Sequence, residues 1–333
     1  MLKRTMIVSL IFSLCSLSLT GEASSTLILN KSKTNTVAVN LDWKYREGAV
    51  IVHPRDSLMV SSIDNHVHHP LIWKSRYASV VFHAGNRFKP GLSANGMNEK
   101  GLVASAMLLK STGYPPLNQE LPTLNTSEWV QYVLDNYQTV QELVDDSANY
   151  QLLPSTYRGV TLSYHLVVND AEGNSAVIEY LNGRLVVHSK DQLSHMAITN
   201  TEYDSAVMLL NDYKDFGGSK MLPGSNDSNS RFVRAAHYLN RLPSFIAKEE
   251  HIAYAFNGLS TVAQGPGTKT PTQLSIVFDA HDKTIYFRSI NESAIRVIAL
   301  ADFNFDGLYQ PRGLNPYQHL SGDVVKEFRS QYY

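Results

Sequence analysis

The stretch that decides the fold is Glu22-Ala23-Ser24-Ser25-Thr26-Leu27-Ile28-Leu29-Asn30, which joins an apolar N-terminal segment to the first predicted strand. A charged start, Lys3-Arg4, precedes an apolar run over residues 6–19, and Gly21-Glu22-Ala23 offers the small residues that a signal peptidase requires. We therefore expect residues 1–23 to be a secretory signal that is cleaved after Ala23.

Cleavage at this point would make Ser24 the first residue of the mature chain. Such a serine carries a hydroxyl and a free α-amine, and an amine with a pKa of about 7.7–8.0 is partly neutral near physiological pH. A nucleophile and its general base would then arise together. The alternative interpretation is that Ser24 is only the first residue of a frayed terminus.

Composition narrows the function classes. Hydrophobic residues at 43% and charged residues at 18% are typical of a globular protein, and we expect residues 24–333 to form a single domain. A formal net charge of −1 supplies no basic field for nucleic acid or an anionic membrane. No later apolar run is long enough to cross a bilayer, so we expect a periplasmic or secreted protein without a membrane anchor. The sole cysteine, Cys15, lies in the signal.

Strands predicted at 26–29 and 36–43 form a hairpin that would bring Asp42 close to Ser24. The segment Asn95–Gly101 is dense in turn residues. We predict further strands at 49–52, 78–83, 102–109, 161–168, 175–180, 184–188, 196–200, 273–278, 284–288 and 294–300, and helices beginning after Thr126–Ser127, at Thr139, and over 204–213, 230–239 and 252–259. This order lacks regular βαβ alternation, which favours antiparallel sheets covered by helices.

Several segments resemble, in chain order, the choloylglycine hydrolase and penicillin V acylase family of N-terminal nucleophile (Ntn) hydrolases. The segments that carry the resemblance are Ser24–Leu29, Val39-Asn40-Leu41-Asp42-Trp43, Trp73–Val80, Asn95-Gly96-Met97-Asn98-Glu99-Lys100-Gly101-Leu102, Ile198-Thr199-Asn200, Leu222-Pro223-Gly224 with Ser230–Ala236, and Thr272-Gln273. Together they extend from residue 24 to about residue 305.

The resemblance implies an α+β fold, a four-layer αββα sandwich of two antiparallel sheets flanked by helices. It also implies catalytic roles for four positions. Ser24 would be the nucleophile, Asp42 would orient its amine, and Arg231 would support the nucleophile's surroundings. The Asn200 side chain, with a backbone N–H near Leu108, would receive the oxyanion, and Leu108 would contact substrate.

The family's chemistry further implies a small-molecule N-acyl amide substrate, no organic cofactor or catalytic metal, and a homo-oligomer, by resemblance a homotetramer. Phenoxyacyl penicillins, N-acyl homoserine lactones and conjugated bile acids are the candidate substrates.

Two departures from the family pattern separate two hypotheses. Serine replaces the family's cysteine at position 24, and Val39 replaces an arginine three residues before Asp42. A hydroxyl is far less acidic than a thiol, so Ser24 would depend more strongly on its base. The chain is then either an amidase or a catalytically silent ligand-binding or scaffold protein. Taken singly, Asp42 could be a strand-end carboxylate, Asn200 a turn residue and Arg231 a solvated helix residue.

Two segments resemble metal sites. Asp64-Asn65-His66-Val67-His68-His69 could suggest zinc, but a polar loop before Pro70 explains it better because no His-x-x-x-His helix is evident. Asp302-Phe303-Asn304-Phe305-Asp306-Gly307 matches the first half of a calcium loop, although Gly313 stands where a bidentate glutamate is needed.

Overall fold

The computed structural model describes residues 24–30, 34–63, 69–85 and 92–330. The predicted signal at 1–23 and most of the histidine-rich segment, residues 64–68, lie outside the described residues. No helix within the described ranges is long and apolar enough to span a membrane.

The first sheet has seven strands and contains the predicted Ser24 hairpin. In spatial order the strands are β16 (Ala197–Ile198), β1 (Ser24–Leu29), β2 (Thr36–Asp42), β17 (Thr272–Asp279), β18 (Thr284–Ser289), β19 (Glu292–Ala299) and β21 (Gly322–Asp323). All neighbours pair antiparallel except β19 and β21, which are parallel. The N-terminal strand therefore lies inside the sheet, between β16 and β2.

The second sheet has eight antiparallel strands. In spatial order they are β15 (Arg184–Ser189), β14 (Ser175–Leu181), β13 (Tyr164–Asn169), β8 (Val103–Leu108), β7 (Leu92–Asn98), β6 (Ser79–Ala84), β3 (Gly48–His53) and β20 (Arg312–Leu314). The predicted meander forms β13 to β15.

Three two-stranded ribbons and five helices complete the described chain. The ribbons pair β4 (Leu58–Val60) with β5 (Ile72–Lys74), β9 (Thr123–Asn125) with β10 (Gln151–Leu153), and β11 (Thr156–Tyr157) with β12 (Val160–Thr161). The helices are α1 (Trp129–Asn136), α2 (Val140–Asp146), α3 (Tyr203–Leu210), α4 (Ser228–Asn240) and α5 (His251–Val262). Short 3₁₀ turns occupy Thr126–Glu128, Lys190–Gln192, Leu300–Asp302, Phe305–Gly307 and Val325–Glu327.

Three apolar cores separate four layers. One core, with Ile28, Val39 and Phe82, lies between the two sheets. A second core packs α1 on the outer face of the second sheet, and a third packs α4 and α5 on the outer face of the first. The predicted four-layer αββα sandwich is confirmed.

The turn expected over Asn95–Gly101 is wrong in its first half, because β7 continues to Asn98. Gly96 lies inside this strand, where an added Cβ would approach the Leu134 side chain and the Val80 carbonyl oxygen to 2.7 Å. Glycine is therefore needed here for the close packing of α1 on the sheet rather than for a turn. The predicted strand at 196–200 is also shorter than expected, since only Ala197 and Ile198 pair in a ladder.

Candidate active site

Ser24 is the first residue of β1, and the register on both sides decides what surrounds it. Ser24 pairs with Leu41 of β2, next to Asp42. On the other side, Thr26 pairs with Ile198 of β16, and the Ile28 N–H donates to the Met196 carbonyl oxygen. Continuing this antiparallel register two residues beyond Ile198 brings Asn200 opposite Ser24.

The Asn200 side chain connects three parts of the molecule. Its Oδ1 accepts the Ser24 backbone N–H at 2.8 Å and an Arg231 Nη2 hydrogen at 2.9 Å. Its Nδ2 donates to the Leu108 carbonyl oxygen of the second sheet at 2.7 Å. These partners determine the amide's orientation, because the first two only donate and the third only accepts. Among the residues that the structure describes, Nδ2 has this one acceptor, so one of its two hydrogens remains for another.

Arg231 approaches Ser24 from α4, on the helix side of the first sheet. Its Nη1 donates to the Ser24 carbonyl oxygen and to the Ser25 hydroxyl, both at 2.6 Å, and lies 3.8 Å from Asp42 Oδ2. Its Nε donates to the Asn226 carbonyl oxygen at 3.1 Å. Only 1% of Arg231 is exposed, so this cation acts with little solvent screening. Burial lowers the pKa of Arg231, and the negative charge of Asp42 opposes that change.

Asp42 ends β2 and is buried beside this cation. Its Oδ1 accepts the Thr272 hydroxyl at 2.5 Å, and its Oδ2 accepts the Gln264 amide at 2.8 Å. Burial raises the pKa of Asp42 to about 6, while the Arg231 charge and the two hydrogen bonds oppose the rise. The carboxyl group can therefore change its ionisation in mildly acidic solution.

The two faces of β1 and β2 differ in what they carry. Thr26 faces the second sheet, where its hydroxyl lies 3.4 Å from both Ser105 Oγ and Met107 Sδ. Alternation along the strand puts the Ser24 hydroxyl on that same face, and Ser25 on the opposite one with Arg231. Asp42 also lies on the helix face. It therefore reaches Ser24 through the backbone and Arg231, and not from beside the hydroxyl.

The structure thus brings Ser24, Asp42, Asn200 and Arg231 into one cluster. Leu108 contacts the cluster through its carbonyl oxygen, while its half-buried side chain packs with the α1 core on the outer face of the second sheet. Sequence reasoning did not identify Ser25, Gln264 or Thr272 as members. Thr272 lies 230 residues from its partner Asp42, and no local pattern links residues at such a separation.

Val39, the position that departs from the family pattern, is fully buried in the core between the sheets. It pairs with Thr26 of β1 and Ile276 of β17. The face that carries the Ser24 hydroxyl is therefore lined at this position by an apolar side chain.

The described residues contain no group of three or more His, Cys, Asp and Glu side chains placed to hold a metal ion. In the segment that resembles a calcium loop, Asp306 accepts a hydrogen bond from Arg55 at 2.6 Å, and Asn304 accepts the Gly307 N–H at 3.2 Å. These side chains thus contact protein groups. Residues 64–68 of the zinc-like segment lie outside the described residues.

A family model for linear amide C–N hydrolases of the choloylglycine hydrolase family matches residues 24–310. The chain belongs to the choloylglycine hydrolase family. Members of this family are linear amide C–N hydrolases, so the predicted family and reaction class are confirmed.

Individual relatives agree with this assignment. The chain is 32% identical over 270 residues to a penicillin V acylase of Pectobacterium atrosepticum, covering 73% of this chain and 70% of the relative. It is 22% identical over 312 residues to a bile salt hydrolase/transferase of Bifidobacterium longum, covering 80% of this chain and 92% of the relative.

Solved structures share the family's fold. The structure of penicillin V acylase from Agrobacterium tumefaciens superposes with a TM-score of 0.79 at 27% identity, covering 92% of this chain and 97% of that one. A variant of conjugated bile acid hydrolase from Clostridium perfringens superposes with a TM-score of 0.74 at 19% identity, covering 90% and 99%. At that identity the second likeness concerns the fold alone.

Proposed function

We propose that this protein is an exported amidase that hydrolyses a linear N-acyl amide with Ser24 as its nucleophile. Export and removal of residues 1–23 would turn the Ser24 backbone nitrogen into a free α-amine. The family match, which begins at Ser24, supports this cleavage point.

The reaction proceeds in two steps. The Ser24 hydroxyl oxygen attacks the amide carbonyl carbon while its proton passes to the α-amine. The C–N bond then breaks, the departing amine takes that proton, and the acyl group remains as an ester on Ser24. Water attacks the ester, gives a proton to the α-amine, and the proton returns to the Ser24 oxygen as the carboxylic acid leaves.

The observation that carries the proposal is the contact of the Ser24 nitrogen and carbonyl oxygen with Asn200 and Arg231. The Asn200 Oδ1 accepts from the nitrogen and so orients its lone pair, while the remaining Nδ2 hydrogen is available to a developing oxyanion. The buried Arg231 cation lies at the Ser24 carbonyl oxygen, where it disfavours a second positive charge on the amine. An amine kept neutral near pH 7 is free to accept the proton of the hydroxyl.

The substrate class is proposed from the relatives. One is named a penicillin V acylase and another a bile salt hydrolase/transferase, and the family model is that of linear amide C–N hydrolases. We propose phenoxyacyl penicillins first, because the penicillin V acylase relative is more similar. N-acyl homoserine lactones and conjugated bile acids follow.

N-terminal sequencing of the exported protein and an amide panel test the proposal together. The mature chain should begin at Ser24 and release amine from at least one N-acyl amide. Ser24→Ala should lose at least about 10⁴-fold in kcat, because the nucleophile itself is removed. Ser24→Cys should keep activity, and a chain that retains Met before Ser24 should have none.

A second candidate function is binding without turnover. Val39 favours it, because the face that carries the Ser24 hydroxyl has an apolar side chain where the family pattern has a cation. Binding of an N-acyl amide with equal affinity by the wild type and Ser24→Ala, with no amine released by either, would support this function and refute the amidase.

A further inference from the structure

A buried carboxylate outside the cluster described above, that of Glu179, lies where the two sheets meet. Glu179 is fully buried in β14 and faces the core between the sheets, like Val177 two residues earlier. His165 Nδ1 lies 3.0 Å from its Oε1, and His188 Nε2 lies 3.3 Å from its Oε2. Burial by itself would raise the pKa of Glu179, but the hydrogen bonds from the two imidazoles lower it to about 2.

The same carboxylate caps helix α3. The backbone N–H of Tyr203, the first residue of α3, lies 3.1 Å and 3.3 Å from the two Glu179 oxygens. Glu202, at the N-cap position, makes no capping hydrogen bond with its own side chain. A residue 24 positions away in the chain therefore satisfies one of the N–H groups at the start of α3 that have no partner within the helix.

Tyr203 also closes the segment that carries Asn200. Its hydroxyl accepts the His195 N–H at 2.8 Å and donates to the His195 carbonyl oxygen at 2.9 Å. Two other hydroxyls of the segment contact the start of α4: the Thr199 hydroxyl donates to the Ser228 carbonyl oxygen, and the Thr201 hydroxyl lies 2.7 Å from Ser228 Oγ. The two bonds between Tyr203 and His195 thus close residues 195–203 into a loop. Of the bonds described here, the one from the Tyr203 N–H to Glu179 connects this loop to β14.

The two histidines fix the orientation of the Glu179 carboxylate, because each contacts one of its oxygens. The second ring nitrogen of His165, Nε2, is buried and has no hydrogen-bond partner among the described residues. A proton there would be a buried donor without an acceptor, so the ring carries its proton on Nδ1 and donates it to Glu179. His188 lies on the other oxygen and, through Nδ1, 3.5 Å from Asp204 of α3.

We propose that Glu179 is a positioning residue for Asn200. By holding the start of α3, it holds the preceding loop so that the Asn200 amide lies between the Ser24 nitrogen and the Leu108 carbonyl oxygen. The kinetic part of this inference rests on the proposed amidase function, whereas the structural part does not.

Three variants test the proposal: Glu179→Ala, Glu179→Gln and Glu202→Ala. Hydrogen–deuterium exchange of a peptide covering 195–206 reads the loop without any turnover. We expect exchange at least tenfold faster in Glu179→Ala, and wild-type exchange in Glu179→Gln, whose Oε1 still accepts the Tyr203 N–H. Glu202→Ala, the matched control at the formal N-cap, should leave the peptide unchanged.

Kinetics should follow the same order. We expect Glu179→Ala to lower kcat by about ten- to a hundredfold with KM within about threefold, because a displaced oxyanion donor costs transition-state binding more than substrate binding. Glu179→Gln and Glu202→Ala should stay within about threefold of the wild type. A general loss of stability would instead raise exchange in α1 equally.

Unchanged exchange of 195–206 in Glu179→Ala would overturn the proposal, and so would faster exchange spread equally over α1. A Glu179→Gln variant with a protected loop but the kcat of Glu179→Ala would also overturn it. If Glu179→Ala does not fold, Tyr203→Phe takes its place. It loses both bonds of the Tyr203 hydroxyl with the His195 backbone, and unchanged exchange of 195–206 refutes the closed loop. If the wild type releases no amine but the three variants show the expected exchange of 195–206, the proposed amidase function is refuted and the positioning role of Glu179 stands.

Discussion

The two faces of the first sheet differ sharply at its Ser24 end. The face toward the helices carries Asp42, Arg231 and Ser25. Arg231 Nη1 donates to the Ser25 hydroxyl at 2.6 Å and lies 3.8 Å from Asp42 Oδ2. The face toward the second sheet carries Thr26 and Val39 beside Met107, and it is neutral. The charges of the cluster therefore lie across the backbone from the proposed nucleophilic hydroxyl.

This difference teaches how a serine could function without the cation that the family pattern has at position 39. Arg231 contacts the Ser24 carbonyl oxygen from the helix face, so its field acts on the Ser24 nitrogen through the backbone. The neutral face is then left for the hydroxyl that we propose as the nucleophile. A cation need not share a face with this hydroxyl to act on the amine that we propose as its base.

Removing the cation should have the largest effect. Arg231→Gln leaves Asp42 buried without a positive partner, so we expect a loss of about 3–5 kcal/mol in the free energy of unfolding. The change should also lower kcat/KM by at least about a hundredfold, since the Asn200 and Ser24 contacts are lost. Denaturant unfolding and amide hydrolysis measure the two effects.

Arg234→Gln is the matched control on the same helix. The Arg234 guanidinium is bound to the Thr261 and Pro223 carbonyl oxygens and does not reach Ser24. An equal loss of kcat/KM in both variants would show that the effect does not depend on the contact of Arg231 with Ser24.

Placing a cation on the neutral face should cost nearly as much. Val39→Arg buries a charge in the core between the sheets, and we expect it to lower the free energy of unfolding by about 3 kcal/mol without raising kcat/KM. Val39→Leu, which adds volume without charge, should cost about 1–2 kcal/mol. A rise in kcat/KM with Val39→Arg would show that the base lacks a cation despite Arg231.

The ionisation of Asp42 should be visible in pH dependence. Its folded-state pKa of about 6 exceeds the ordinary value of 3.8, so the folded protein binds more protons between these values. The stability due to this group is thus fully present below pH 4 and is lost as pH rises through 6, by about 3 kcal/mol. Asp42→Asn should flatten the fall in stability over this pH range.

The ionisation of Asp42 should have the opposite effect on activity, which should fall as pH drops below about 6. If both the amine and Asp42 must be unprotonated, log kcat/KM should steepen from slope one to slope two below about pH 6 in the wild type only. A slope of two that persists in Asp42→Asn would assign the second ionisation to another group.

The smallest effect concerns the hydrogen bond that holds Asp42. Thr272→Val removes a donor to a charged acceptor and should cost about 1.5–3 kcal/mol of stability at neutral pH. It should also move the Asp42 ionisation above pH 6, since one of the contacts that opposes the rise is lost. Thr268→Val, whose hydroxyl donates to Gly265 in the nearby loop, should change neither quantity.

Much of the fold follows from local pattern. The hairpin of β1 and β2, the meander of β13 to β15 and the helices α4 and α5 lie close to their predicted ranges. Short apolar and β-branched runs bounded by turn residues mark the strands, and the period of 3.6 marks the helices. Asn95–Gly101 misled the prediction because Gly96 serves packing, and glycine content alone does not distinguish a turn from a close contact.

The sequence by itself determined antiparallel sheets covered by helices and the pairing of Ser24 beside Asp42, since a hairpin joins neighbours in the chain. The four-layer class and the members of the cluster were implied by the resemblance to the family. Only the tertiary structure decided that Asn200 lies opposite Ser24, that Arg231 reaches it from the helix face, and that Glu179 caps α3. Those contacts join residues 176, 207 and 24 positions apart. Strand order and the packing of the three cores determine these contacts, and no local stretch of residues specifies either of them.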